Sequence, residues 1–414
     1  MPVRTFVLGL RNYQLLLRLD GVGRMVAMGI IARLPIGMLA LSLVLLVRSL
    51  GGTYGEAGFA SAANSVAAAL AAPIAGRLVD RYSPHRVLMA CGIIHPCTLG
   101  VLLLLAWLDA PMWAIIVAAF VTGATFPPVG PTIRSIWPRV LPDPAMLSSA
   151  FALEATVQEL IFVSGPLLVG VVVALFSAGA AIVAAAAFSC FGVISLALSP
   201  AVRSLPPAHS TEHHESRHPL AALRPLGVRL VIAMSVCMGI AFGAVEVALP
   251  AFAEEHGGRS LAAFSLSAWS AGSLLGGLLA AGLGPDNGVR RVRKLSLAML
   301  VALLLPLAAG SVAQISLVML LAGLPIAPTF AVTYAIIERN AVPGSQAEVF
   351  GWATMAIVTG VALGAAVGGN LITHVGLDAS FVLAVAGAGG SALVAASMPG
   401  ALLAPRAQPV PVGD

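Results

Sequence analysis

The chain has 414 residues, of which 59% are hydrophobic and only 9% are charged, and its mean hydropathy is +0.99. A soluble protein of average composition carries about 25% charged residues, so this composition excludes a water-soluble protein. The formal net charge of +5 raises the question of a nucleic-acid partner, which the placement of the basic residues answers below.

The first 24 residues precede the first long apolar run. Arg11 and Arg18 interrupt their apolar residues, and no small-residue cleavage site follows, so the segment does not resemble a cleaved signal peptide. Its spacing predicts a short amphipathic helix on the cytoplasmic surface that leads into the first span.

Apolar runs of about 20 residues recur along the chain, each long enough to cross roughly 30 Å of hydrocarbon. They predict an all-α membrane protein with twelve transmembrane helices, at about 24–47, 55–76, 86–108, 112–134, 147–175, 179–199, 229–252, 261–283, 295–311, 314–337, 349–373 and 378–398. Four segments follow: an N-terminal six-helix bundle at 1–199, a linker at 200–227, a C-terminal six-helix bundle at 228–398 and a tail at 399–414.

The lysines and arginines favour one side of this arrangement. All 22 except Arg33, Arg48 and Arg259 fall on the side of the two termini, counting Arg134 at the end of the fourth span and Arg139 after it. Loops rich in basic residues stay in the cytoplasm. The placement of the basic residues therefore predicts that both termini lie on the cytoplasmic side of a bacterial plasma membrane. It also explains the net positive charge, so there is no reason to expect a nucleic-acid partner.

The two bundles also resemble each other at an offset of about 200 residues. FPPVGPTIRSIWPRVLP at 126–142 is similar to IAPTFAVTYAIIERNAVP at 326–343, and SGPLLVG at 164–170 is similar to LGAAVGG at 363–369. Weak symmetry between two six-helix halves is typical of transporters that hold their substrate between the halves. We therefore expect two pseudo-symmetric bundles.

The predicted turn between the second and third spans reads GRLVDRYSPHRVL. It resembles the signature of the major facilitator superfamily in that loop, with matches at Gly76, Leu78, Asp80, Arg81, Arg86 and Leu88. Ser83 replaces a glycine of the signature, and Pro84 and His85 replace residues that are usually basic. The resemblance implies the twelve-helix facilitator fold, and it implies that Asp80 faces the N-terminal end of the eleventh span, near Glu348 and Val349. There it would help to close the cytoplasmic side.

The fifth span contains Gly165, Pro166 and Gly170, which resemble a Gly-Pro motif of the proton-driven drug exporters in this superfamily. Leu168 or Val169 departs from the motif. The proline is expected to bend the helix, and the glycines are expected to let it approach a helix of the second half. The motif favours export.

Few charged residues lie within the predicted spans, where a charge is expensive and usually functional. Depth along the helices places Arg33 between Glu154 and Glu159, so Arg33 is expected to pair with one of them, with Gln158 nearby. We favour Glu159 as the proton carrier and Arg33 as its switching partner, since an adjacent arginine favours the charged carboxylate. Glu246, in the outer part of the seventh span, is the next candidate.

These patterns predict a monomeric secondary transporter that moves a small apolar or amphiphilic compound out of the cell in exchange for protons, in contact with the lipid bilayer. The alternative is a symporter or uniporter for a polar metabolite such as a sugar. No nucleophile, phosphate-binding loop or metal-ligand pattern is evident, so we expect neither an enzyme nor a cofactor nor a metal. The linker histidines His209, His213, His214 and His218 are expected to be solvated.

Overall fold

The computed structural model describes residues 2–203, 205, 220–256, 262–281 and 288–403. These residues form sixteen α-helices and a few single 3₁₀ turns. The helices are α1 (Pro2–Leu17), α2 (Val22–Ser49), α3 (Tyr54–Tyr82), α4 (Pro84–Trp107), α5 (Met112–Ala124), α6 (Val129–Val140), α7 (Leu147–Leu175), α8 (Ala178–Ala197), α9 (Pro200–Arg203), α10 (Leu226–Glu255), α11 (Ala262–Ala281), α12 (Gly288–Leu304), α13 (Val312–Gly323), α14 (Ile326–Asn340), α15 (Gln346–His374) and α16 (Leu377–Ser397).

Within the described residues, eleven helical segments are long and apolar enough to cross a membrane. The segment missing from that set is α12, which has 17 residues and opens with the basic stretch GVRRVRK. Together with α12, these segments correspond to the twelve spans expected from the sequence. The basic residues Arg290 to Lys294 belong to α12 itself, because the helix begins at Gly288 and earlier than predicted.

The fourth and tenth spans are each built from two helices. The break between α5 and α6 falls at Thr125–Pro128, and the break between α13 and α14 falls at Leu324–Pro325. Prolines cannot donate a backbone hydrogen bond, so the series of helical backbone hydrogen bonds is interrupted at both places. After each break a threonine hydroxyl returns a hydrogen bond to the proline carbonyl, from Thr132 to Pro128 and from Thr329 to Pro325, both at 2.6 Å.

Helix lengths reproduce the internal similarity of the sequence. The helices α7 and α15 both have 29 residues and start 199 positions apart, at Leu147 and Gln346. In α6 and α14 the helix starts are offset by 197 residues and the ends by 200. Setting 126–142 against 326–343 from their first residues would align Pro128 with Pro328, but at the start of α14 it is Pro325 that takes the structural place of Pro128.

The two halves meet at one end of the bundle, which we call the basic end. It is the end at which α3 passes into α4, and it carries Arg77, Arg81 and Arg86. The predicted N-terminal helix is present as α1, and it packs at this end. Its side chains reach the second half: Asn12 Nδ2 donates to the Ala281 carbonyl at 2.6 Å, and the Tyr13 hydroxyl donates to the Gly277 carbonyl at 3.1 Å. Burial raises the pKa of Tyr13 to about 12, so its hydroxyl stays a donor.

Candidate gate and buried charge site

Asp80 lies at the last turn of α3 and faces the first turn of α15. The Ala347 backbone N–H donates to Asp80 Oδ1 at 3.2 Å, and the Glu348 backbone N–H donates to Asp80 Oδ2 at 2.8 Å. The first backbone N–H groups of a helix have no partner within it and carry partial positive charge. A carboxylate from the first half thus caps a helix of the second half, and only 4% of the Asp80 surface is exposed.

Close backbone contact and an ion pair surround this cap. A Cβ on Gly76 would overlap the Ala347 carbonyl oxygen and approach Glu348 Cα to 2.8 Å, and a Cβ on Gly351 would overlap Ala72. Arg77 Nη2 donates to Glu348 Oε1 at 2.6 Å. We call this group of residues the basic-end gate: Gly76, Arg77, Asp80, Ala347, Glu348 and Gly351.

The two remaining arginines of the loop motif lie outside these contacts. Arg81 and Arg86 are exposed, and the guanidinium of Arg81 lies 5.2 Å from the centre of the neighbouring Tyr82 ring. Ser83, which replaces the glycine of the family signature, adopts a positive φ of 103° at the turn between α3 and α4. A serine here is strained where glycine would not be.

The glycines of α7 do not approach the second half, so that expectation is wrong. A Cβ on Gly165 would lie 2.5 Å from the Cα of Gly37 in α2, which belongs to the same half. Around Gly170 no atom lies within 4 Å of an added Cβ, and Pro166 is exposed on the surface of α7. The glycine contact therefore fastens two helices within the first half, because backbones can touch only where side chains are absent.

Arg33 pairs with Glu154 and not with Glu159. Arg33 Nη1 donates to Glu154 Oε2 at 2.8 Å and Nη2 donates to Oε1 at 3.3 Å, while Nε donates to the Gly29 carbonyl at 3.0 Å. Both side chains are fully buried. The favoured pairing of Arg33 with Glu159 is wrong in this structure, because five residues along a helix turn a side chain by about 140° and so to another face.

Glu159 instead faces the second half of the molecule. It is half-buried on α7 and lies beside Ser273 of α11, whose hydroxyl oxygen is buried and forms no hydrogen bond within the described residues. Gln158 is half-buried next to it. Glu246 is exposed on α10, one turn beyond Phe242 and on the same face of that helix. The structure therefore does not bring Glu246 to the Arg33–Glu154 pair.

The sequence analysis missed Arg134, which it counted as a cytoplasmic residue at the end of the fourth span. Because α6 continues to Val140, Arg134 lies roughly 9 Å inside the end of that helix. Its guanidinium carbon stands 4.3 Å above the centre of the Tyr334 ring of α14, and only 6% of its surface is exposed. The signal was available in the proline pair at 127–128, which restarts a helix and so lengthens the span.

Aromatic rings from both halves surround Tyr334. Phe151 of α7 lies 6.0 Å from it, Phe350 of α15 lies 5.9 Å away and Phe330 of α14 lies 6.0 Å away, measured between ring centres. We call these four rings the aromatic layer. It lies between the basic-end gate and the bundle interior, at about the same depth as Glu154. Among the described residues no group of histidine, cysteine, aspartate and glutamate could hold a metal ion.

Comparison with known proteins agrees with this architecture. Residues 25–319 match the family model of the Major Facilitator Superfamily. The chain is 27% identical to y4rN of Sinorhizobium fredii (strain NBRC 101917 / NGR234), an uncharacterized MFS-type transporter, over 90% of this chain and 93% of that protein.

Two solved structures are similar in fold. A bacterial homologue of the iron transporter ferroportin, in an outward-facing state, superposes with a TM-score of 0.76 at 12% identity, over 90% of this chain and 98% of that one. The human organic anion transporter MFSD10 (TETRAN) gives a TM-score of 0.71 at 16% identity, over 90% and 99%. At such identities the likeness concerns the fold alone. The predicted fold class and family are confirmed: the chain belongs to the major facilitator superfamily of multi-pass membrane transporters.

Proposed function

We propose that this transporter is a proton-coupled exporter of a small apolar or amphiphilic compound, working by alternating access as a monomer. Its basic end would face the cytoplasm of a bacterial cell, because loops rich in arginine and lysine are retained there. Efflux is supported by the Gly-Pro motif of α7, which resembles that of proton-driven exporters. It is also supported by helices rich in alanine, leucine and valine, which offer few groups for the hydroxyls of a sugar.

One observation carries the alternating-access part of the proposal: a carboxylate of one half caps a helix of the other at the basic-end gate. The cap joins α3 to α15 through two hydrogen bonds and no covalent link. Rocking of one half against the other would break it and open the basic end. Such rocking around a central site is the way that transporters built from two repeats expose a substrate to each side in turn.

The proton is proposed to travel on Glu159. Arg33 and Glu154 both belong to the first half, so their pair would survive a rigid rocking of the halves and fits a structural clamp between α2 and α7. Glu159 and Ser273 belong to different halves, so the surroundings of this carboxylate would change with each transition. A proton carrier needs an environment that alternates between favouring the charged form and favouring the neutral form.

Glu159→Gln tests this assignment. Purified protein is reconstituted into liposomes loaded with a pH-sensitive dye, and proton movement is recorded on addition of ethidium, N-phenyl-1-naphthylamine or 2-naphthalenesulfonate, with empty liposomes as the blank. We expect the wild-type protein to couple at least one probe to proton flux, and Glu159→Gln to lose that flux while retaining exchange of the probe without a gradient.

Gln158→Glu supplies a matched control, since it adds a carboxylate next to the site without removing Glu159. It should retain coupled flux. Full proton-coupled transport by Glu159→Gln would refute Glu159 as the carrier and leave Glu246 as the next residue to test. Loss of folding together with binding would assign Glu159 a structural role.

A further inference from the structure

Arg134 is a buried cation that has no anionic partner among the residues that the structure describes. Among the residues that the structure describes, none accepts a hydrogen bond from its guanidinium, and its Nε atom is buried and unpartnered. No carboxylate oxygen of the described residues lies within 4.0 Å of a guanidinium nitrogen of Arg134, the distance at which the two would form an ion pair. The nearby Glu154 is engaged by Arg33 through both of its oxygens.

The Tyr334 ring is the visible partner of Arg134, and it offsets only part of the cost of burial. A cation over an aromatic face is stabilised by the ring quadrupole, but a buried charge that lacks a counter-charge remains strongly destabilising. Arg33 and Glu154 neutralise each other, and Glu159, the other carboxylate that acts on Tyr334, lies five residues further along α7 beside Ser273. Arg134 is thus the cation at this depth that no carboxylate of the described residues contacts. Such a place attracts an anion.

The guanidinium also suits a particular kind of anion. It presents donors in a planar fork that matches two oxygens of a carboxylate, sulfonate or phosphate, and it binds them with short charge-assisted hydrogen bonds. The aromatic rings that adjoin Tyr334 offer apolar surface for the rest of a ligand. From Tyr334 the rings continue through Phe330 to Phe242 at 6.4 Å and on to Trp269 at 5.3 Å, away from the basic end.

We propose that Arg134 binds the oxyanion group of the transported compound, whose apolar body packs on the row of rings from Tyr334 to Trp269. The transported compound would thus be an amphiphilic organic anion. That it is transported, and not only bound, rests on the proposed function. Arg134 belongs to the first half and Tyr334 to the second, so rocking of the halves would separate the cation from its ring. The anion site would therefore change affinity between the two states of the transporter.

A matched pair of probes tests the charge requirement. We would measure binding of 2-naphthalenesulfonate and of the neutral 2-naphthalenesulfonamide to the full-length protein in lipid nanodiscs by calorimetry. The sulfonate should bind at least about tenfold more tightly, as expected for a charge-assisted bidentate contact. Arg134→Gln should remove that preference while leaving the affinity for the sulfonamide within about threefold, because the apolar contacts remain.

Arg18→Gln serves as the matched control, since Arg18 is exposed on the turn after α1 and far along the chain from the site. It should keep the preference for the sulfonate. Equal binding of the two probes by the wild-type protein, or an undiminished preference in Arg134→Gln, would overturn the anion site.

A second measurement needs no variant. Phenylglyoxal modifies arginine, and mass spectrometry identifies the modified residues. The sulfonate should protect Arg134 from modification and the sulfonamide should not, whereas equal protection by both would overturn the proposal.

The liposome flux assay shows which proposal has failed, the anion site or the proposed transport function. If the sulfonate protects Arg134 but a proton gradient does not drive its transport, the anion site is supported and the proposal that this class of compound is transported is refuted. If a proton gradient drives transport of another probe but the protein binds the sulfonate no more tightly than the sulfonamide, only the anion site is refuted.

Discussion

Removing the charge of Asp80 should open the basic end. In Asp80→Asn one side-chain oxygen remains to accept a backbone N–H of α15, while the amide nitrogen faces the other N–H and cannot accept it. The bonds at 2.8 and 3.2 Å are made to a charged acceptor at a helix N-terminus. Losing one of them and the charge of the other costs on the order of 2 kcal/mol. This shifts the ratio of open to closed molecules about thirtyfold toward the open state.

Cysteine labelling measures that ratio. Ala152 of α7 is 1% exposed and lies one turn nearer the basic end than Thr156, which faces Gly277 of α11 across the two halves. In protein whose native cysteines are replaced, Ala152→Cys should react slowly with a water-soluble maleimide. Adding Asp80→Asn should raise the labelling rate by about the same thirtyfold factor, since labelling follows the open population.

The control is Asp109→Asn, which removes a carboxylate from the exposed turn between α4 and α5 and leaves the gate untouched. Its labelling rate should equal that of the parent protein. If Asp80→Asn is monodisperse by size-exclusion chromatography and also labels at the parent rate, Asp80 does not hold the basic end closed.

Two further substitutions test the packing of the first half. Glu154→Gln leaves Arg33 buried without a counter-charge and should cost about 3–5 kcal/mol of folding free energy, seen as a lower midpoint of thermal unfolding. The double variant Arg33→Met with Glu154→Leu should recover most of that midpoint, and a double variant as unstable as the single one would contradict a purely structural pair. Gly165→Ala should lower the midpoint because its Cβ would collide with Gly37, whereas Gly170→Ala, in open space, should not. Equal effects of the two alanines would show that the close contact is unimportant.

The sequence determined the arrangement of the spans well because hydropathy and loop charge are properties of the chain itself. Hydrophobic length located the helices, and the loop after α3 indicated the partner of Asp80 through its resemblance to a family motif. Depth along a helix follows from residue count, and by that count Arg33 was expected between Glu154 and Glu159. Depth does not give the direction in which a side chain points relative to a neighbouring helix, and the choice between the two glutamates needed that direction.

Two other errors have the same kind of cause. Arg134 was counted at the cytoplasmic end of the fourth span because a hydropathy window ends where charge and proline appear, although the helix that follows Pro128 continues to Val140 and leaves the arginine inside the bundle. The contact of Gly165 was assigned to the wrong half because small residues show that a helix is approached closely but not which helix approaches. Both questions concern packing between segments distant in sequence.

The pairing of Arg33 with Glu154 also sets a condition on the synthesis of the protein. The two residues are 121 positions apart, and ribosomes add about 5–20 residues per second, so Arg33 leaves the ribosome roughly 6–24 s before its partner. If α2 entered the bilayer during that interval, it would carry an uncompensated arginine, which costs on the order of 3 kcal/mol at a helix centre. The first span should therefore wait in or beside the insertion machinery until α7 arrives, and the first half should assemble as a unit before the second half is complete.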